Sequence, residues 1–244
     1  MDVKIYAINL DRSRERWDSI TRQGAELDLD VVRVPGLDGS LVQADDRIDC
    51  DDPAFRRKNG RTMLPGEYGC YRSHLQALRT FVDSGEPIGI IAEDDVELTR
   101  DLPARVAAAF DAVPAADVIK LFNHRVVGFR LFGTSSLGDS VGRATHGPMG
   151  SAACYAVSHK GAIKLLNGLA RMEYPWDVAL ERGWATGASI CTVRTNLIMA
   201  GRQETTIASR SVYKATKFPW WKRSKTYVHR ILETVRRVRY ARGS

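Results

Sequence analysis

The stretch Pro87-Ile88-Gly89-Ile90-Ile91-Ala92-Glu93-Asp94-Asp95-Val96-Glu97-Leu98 decides the fold, because a short apolar run stops abruptly at three consecutive acids. A run of that length bounded by Gly85 and Pro87 reads as a buried strand of a largely parallel sheet, and such sheets bind ligands at the carboxyl ends of their strands. Three carboxylates therefore stand at an expected site edge. Adjacent like charges repel, so a strand end that collects them calls for a cation to hold them together. The competing reading is a set of solvated acids that favour the start of the next helix.

Outward from this strand the chain alternates. Upstream, Pro65 suits a first helical turn, and Tyr68, Tyr71, His74, Leu75, Leu78 and Phe81 run at helical spacing to a stop at Gly85. The amino terminus gives a strand over Lys4 to Leu10, a helix with Trp17, Ile20 and Leu27 as its stripe, and a short strand Val31 to Val34 closed by Pro35-Gly36. Asp45 to Gly60 is polar and aperiodic and is expected as a surface loop able to order over a ligand. Downstream, Leu102 to Val113 predicts a helix, Val118 to Phe122 a strand, and the Gly-broken run Arg125 to His146 hairpins or an irregular lobe. Ser158 can cap a helix from Lys160 to Leu169, Pro175 starts another, and Ser189 to Met199 reads as strand then loop. Such alternation predicts an α/β, doubly wound mixed sheet in a single domain.

With 244 residues, 44% apolar and 27% charged, the chain can bury a full core. It shows neither a signal peptide nor a bilayer-length apolar run, so a cytoplasmic location is expected. Cys50, Cys70, Cys154 and Cys191 lack the Cys-x-x-Cys spacing of zinc ribbons and redox motifs and read as reduced thiols. The net charge of +7 is concentrated in the tail. Residues 217–244 carry nine Lys or Arg against one Glu, which leaves residues 1–216 with 27 basic and 28 acidic side chains. The expected division is a catalytic domain over 1–216 and a basic amphipathic tail over 217–244. A nucleic-acid binder would spread positive charge over its folded face, so no nucleic-acid partner is expected.

Three stretches together resemble glycosyltransferase family 25, the lipooligosaccharide galactosyltransferases and their collagen-modifying relatives. They are Ile8-Asn9-Leu10-Asp11-Arg12 with Arg16 behind it, Gly66-Glu67-Tyr68-Gly69-Cys70-Tyr71-Arg72-Ser73-His74, and Glu93-Asp94-Asp95-Val96. Gly161 to Leu166 followed by Pro175-Trp176-Asp177 fits less distinctively. The resemblance implies a GT-A type, Rossmann-like domain that holds UDP against its first strands and moves a hexose, galactose first among them, to a glycan or lipid-linked acceptor. It makes Asp95 the direct ligand of Mn²⁺, with Mg²⁺ open, gives Glu93 a ribose or water-mediated contact, and lets Asp94 serve in either way. A late histidine joins the metal in many transferases of this fold, and His146 is the candidate.

Asn9, Asp11, Arg12 and Arg16 follow the first strand, where nucleotides meet doubly wound sheets, and either arginine suits phosphate. Ser73 and His74 are expected to support the donor site, although a lone His on such a face is more often a hydrogen-bonded core residue. An inverting displacement needs a carboxylate to take the acceptor proton. Asp177 is the choice, by its resemblance to the family's Pro-x-Asp segment; Glu181 and Glu204 are the fallbacks, and Trp176 and Trp184 are candidate sugar faces. In the tail, Trp220-Trp221 precede Val228, Ile231, Leu232, Val235 and Val238 at helical spacing among arginines. That pattern suits the anionic inner face of a membrane, or a terminal helix packed on the domain. Two rival readings stand beside it: a nucleotidyltransferase, which should carry a Gly-rich phosphate loop that Ala7 to Arg16 lacks, and a non-catalytic binding domain descended from a transferase.

Overall fold

The computed structural model describes residues 3–201 and 210–243. It opens with strand β1 (Ile5–Asn9), helix α1 (Arg14–Leu27) and strand β2 (Val31–Pro35). Helix α2 (Asp52–Asn59) then corrects the expected loop. Asp51 accepts from the Ala54 amide at 2.9 Å, Pro53 sits in the first turn, and Gly60 ends the helix at φ 70°. These are ordinary start and stop signals, but with only Ala54 and Phe55 buried the helix is too short for periodicity to reveal it.

Helix α3 (Pro65–Asp83) begins at the expected proline, with the Glu67 carboxylate accepting from the Leu64 amide at 2.9 Å. Strand β3 (Ile88–Glu93), the short β4 (Val96–Glu97), α4 (Leu102–Ala112) and β5 (Val118–Lys120) follow. The glycine-broken segment forms one hairpin, β6 (Val127–Thr134) and β7 (Ser140–His146). Then come β8 (Cys154–Ser158), α5 (His159–Gly168), α6 (Trp176–Leu180), α7 (Gly183–Thr186), β9 (Ile190–Val193), β10 (Met199–Ala200), α8 (Arg210–Ala215) and α9 (Ser224–Ala241). Ser158 caps α5 as expected, accepting from the Gly161 amide at 3.1 Å.

Eight strands form one mixed sheet in the order β2-β1-β3-β8-β5-β9-β7-β6. β1 runs parallel to both β2 and β3, whereas β8 is inserted antiparallel between β3 and β5. Alternation along each strand sends Ile5, Ala7, Ile90, Ala92 and Ile119 to the core under α1 and α4, and Tyr6, Ile91, Val118 and Val157 to the core under α3, α5 and α6. This topology puts the carboxyl ends of β1, β2, β3 and β5 and the segment entering β8 along one edge. Among the described residues no helix is long and apolar enough to cross a membrane.

The tail helix is anchored to this body by polar groups. Arg237 reaches Glu181 at 2.9 Å, Arg182 donates to Glu233 at 2.6 Å, and the Tyr240 hydroxyl donates to the Ala188 carbonyl at 2.8 Å. The charge boundary near residue 217 is therefore not a packing boundary.

Candidate active site

Two clefts open along the carboxyl edge and share a wall made by Glu93 and Cys70. The first, about 620 Å³, lies between the β1–α1 turn, the loop after β2 and the start of α3; Arg12, Arg16, Asp38, Gly39, Ser73 and His74 line it. Its far wall is drawn in tightly. A Cβ on Gly39 would overlap the Pro65 carbonyl, and one on Gly69 would overlap the Leu37 carbonyl, so only glycine lets this loop lie on α3. Ser73 fastens the same contact: its hydroxyl accepts from the Leu37 amide at 2.8 Å and donates to the Gly69 carbonyl at 2.7 Å. Ser73 thus shapes the cleft by holding backbone.

At the mouth of this cleft the acids are gathered by one arginine and one amide. Arg16 Nη1 lies 3.2 Å from Asp94 Oδ1 and 3.4 Å from Asp95 Oδ2, and Asn9 Nδ2 donates to Asp94 Oδ2 at 2.6 Å. Asn9 is buried, and its oxygen accepts from Arg33 at 2.8 Å, so its side chain brackets Asp94. Asp11 pairs with Arg33 at 2.7 Å, largely exposed, in a groove separate from the first cleft. Arg12 does face the cleft, paired with Asp38 across it.

Among the described residues, the Arg16 guanidinium alone is set against three carboxylates. Burial, then the neighbouring Glu93 charge, pushes the Asp95 carboxyl up to about 6, against the pull of Arg16. Asp94 is likewise raised, chiefly by burial, with Asn9 and Arg16 opposing. This donor set fits a hard divalent cation: magnesium-sized ions are bound through one or two carboxylates, with phosphate and water supplying the remaining oxygens. Asp94 and Asp95 are the two carboxylates that share Arg16, and they would hold it.

Glu93 turns instead toward α3. Its Oε1 lies 3.5 Å from His74 Nε2, and Cys70, His74 and Glu93 place their sulfur, nitrogen and oxygen within 4.8 Å of one another. His74 is buried, stacked on Trp176 at 4.9 Å between ring centroids, with its Nδ1 3.3 Å from the Tyr155 hydroxyl. Its Nε2, which faces Glu93, is buried without a hydrogen-bond partner among the described residues, and the Cys70 thiol beside it is held neutral by burial and the nearby carboxylates.

The second cleft, about 1090 Å³, is lined by Glu93, Asp95, His124, Ser151, Trp176, Asp177 and Tyr213 among others. Asp177 sits in the first turn of α6, and burial, then the negative Glu181, raises its pKa while Lys120 opposes. A carboxylate so raised is a better proton acceptor than an ordinary one. Glu67, buried at the same wall and paired with Arg61, shapes the floor. Ser151 adopts φ 60° at the rim, a conformation that non-glycine residues take only when their surroundings impose it.

Several expected residues lie elsewhere. His146 ends β7, four strands along the sheet from β3, where it is exposed and its Nδ1 meets Thr145 Oγ1 at 2.9 Å; it is not brought to the acids. His124, just past β5, is the histidine that shares a cleft with Asp95. Glu181 is excluded as a base because it is buried and saturated by Lys120 at 2.8 Å, Arg237 at 2.9 Å and the amides of Met149 and Gly150. Burial pushes its pKa up, but Lys120 and Arg237 outweigh this and hold the carboxyl below its usual range. Trp184 packs edge-on against Tyr240 under α9, away from both clefts, and Trp176 is a core residue with one side on the second cleft. Glu204 lies outside the described residues.

A protein-family model described as glycosyltransferase family 25 (LPS biosynthesis protein) matches residues 2–180, and the chain belongs to that family. It is 31% identical over 115 residues to a "Glycosyltransferase 25 family member" of Aedes aegypti, covering 44% of this chain and 18% of that one. It is 24% identical over 119 residues to procollagen galactosyltransferase 2 of Homo sapiens, covering 47% and 19%; the Mus musculus protein of that name matches to the same extent. The chain spans about a fifth of the length of the curated relatives it matches.

Proposed function

We propose that this chain is an inverting hexosyltransferase that takes its sugar, most simply galactose, from a UDP-sugar and places it on a hydroxyl of a glycan acceptor such as a lipooligosaccharide. The observation that carries the reading is the shared wall: a cleft with Arg12 and Arg16 meets a cleft with Asp177 at Glu93. A donor diphosphate in the first would present its sugar at that wall to an acceptor in the second. The name of the procollagen galactosyltransferases supports galactose.

Arg12 and Arg16 face the diphosphate and offset its charge, which rises as the sugar leaves. A divalent cation held by Asp94 and Asp95 would supply further charge stabilisation to the leaving diphosphate without proton transfer, with manganese the first choice and magnesium the second. Asn9 and Arg16 fix the two aspartates before ligand arrives, and His74 Nε2 stands 3.5 Å behind Glu93. Asp177 takes the proton from the acceptor oxygen as that oxygen attacks the sugar.

The test is a screen of common UDP-sugars for hydrolysis and transfer, with and without Mn²⁺. Metal-dependent turnover of one donor, UDP-galactose foremost, is the expected result. No turnover of any donor, with UDP binding intact, would instead indicate a binding domain derived from a transferase.

A further inference from the structure

The tail helix α9 is amphipathic in the reverse sense for a surface helix. Its inward side is polar: Thr226 donates to the Arg57 carbonyl at 2.8 Å, His229 Nε2 meets the Tyr174 hydroxyl at 2.8 Å, and Glu233, Arg237 and Tyr240 make the anchors described above. Its outward side is apolar, with Val228 60% exposed, Ile231 65%, Leu232 50% and Val235 42%. At 3.6 residues per turn these two sets fall on opposite sides of the helix. Trp220 and Trp221, 70% and 62% exposed, lengthen the apolar side through the turn that precedes α9. Helices on a protein in water normally bury such a stripe, and here the body's polar contacts fix the helix so that it cannot.

We propose that this face docks on an anionic lipid bilayer. The charge around the stripe selects that partner: Lys222, Lys225, Arg230, Arg236, Arg239 and Arg242 are all exposed on the tail, whose nine basic side chains face one acid. Basic side chains round an apolar, Trp-led stripe match an interface where hydrocarbon lies just beneath negative headgroups. A second copy of the chain is the poorer occupant, since two such faces would bring like charges together. A short stretch of chain joins the stripe to the second cleft. Tyr213 lines that cleft, and the chain then passes Lys217, paired with Arg61 in a bridge, before reaching Trp220. Docking would therefore hold the cleft's rim close to the membrane surface. The proposal does not depend on the reaction assigned above.

The test uses the full chain and vesicles of phosphatidylcholine, alone or with about 30 mol% phosphatidylglycerol, sedimented at low and high salt. The parent should bind the anionic vesicles, lose binding at high salt, and bind neutral vesicles weakly. The pair Lys222→Gln and Lys225→Gln should weaken binding by about fivefold per charge. The pair Ile231→Ser and Leu232→Ser should weaken it too, and both variants should melt like the parent because all four side chains are exposed. Equal binding to neutral vesicles, or binding unchanged in both variants, would overturn the proposal. So would a parent dimer in solution that the serine pair splits without any change in vesicle binding, which would make the face a self-interface.

Discussion

Glu181 and Asp95 are both acids enclosed by the fold, and they are treated in opposite ways. Glu181 is met by two cations and two backbone amides, so its charge is balanced within the protein. Among the described residues, Asp95 shares a single guanidinium with Asp94 and stands beside Glu93, so its charge is less fully met. A buried charge is costly unless paired, which means that a fully compensated acid belongs to the architecture and an under-compensated one awaits a partner. The contrast separates structural from functional carboxylates better than position in the chain does. The same logic in reverse applies to α9, where apolar side chains lack an apolar neighbour.

The largest effect is expected at Asp177, which uses its carboxylate only on the acceptor. Asp177→Asn should lower transfer by roughly 10²- to 10⁴-fold while the donor's KM stays near the parent's. Steady-state kinetics with both substrates varied will show it; a parallel loss of donor affinity with no further loss of transfer would move Asp177 to the donor or to the scaffold. At the compensated acid the loss should be of stability. Glu181→Ala leaves Lys120 and Arg237 facing each other in the interior and should cost about 3–5 kcal/mol in denaturant unfolding. A change well under 1 kcal/mol would erase the distinction drawn above.

A smaller effect is expected from the bracket. Asn9→Ala should weaken cation-dependent donor binding by about 10- to 100-fold, as loss of a group that orients a ligand does, without touching the nucleotide itself. Equal weakening of UDP binding in the absence of metal would make Asn9 a direct nucleotide contact.

The smallest is a pair of opposite pH dependences. The folded-state pKa of Glu181 lies below its ordinary 4.5, so the stability it adds is present above that value and lost as the pH falls through the lower one. Asp95 runs the other way: raised from 3.8 to about 6, it costs the metal-free protein stability as the pH rises across that window. Melting temperatures across pH for the parent, Glu181→Gln and Asp95→Asn should show one acid-side and one neutral-side difference. Two differences of the same sign would contradict the contrast.

Much of this was legible in the sequence where the signal is local. Pro65, Ser158 and the apolar run into Glu93 mark their elements by rules that act within a few residues, and α3, α5 and β3 lie where those rules put them. Helix α2 leaves no periodic signal because its start and stop residues enclose only two buried side chains. The antiparallel insertion of β8 has no local signature, since an apolar strand reads the same in either direction. For that reason the sequence does not show that His146 lies away from the acids: only the strand order brings the end of β5, with His124, toward them and carries β7 away. Likewise the sequence offers Glu181 as a fallback base, and only the fold sets Lys120, from a strand distant in sequence, against it. The stripe of α9 was visible, but which side faced water depended on Glu181, Arg182 and Tyr174 waiting on the body.

The central claim is that the under-compensated acids at the end of β3 form a cation-dependent donor site, and calorimetric titration of UDP into the parent and Asp95→Asn, with and without Mn²⁺, tests it most directly. In the parent, Mn²⁺ should tighten UDP binding by at least about tenfold. In Asp95→Asn that enhancement should vanish while the metal-free affinity and the fold stay as they were. The same Mn²⁺ enhancement in both proteins, or none in the parent, would contradict the account.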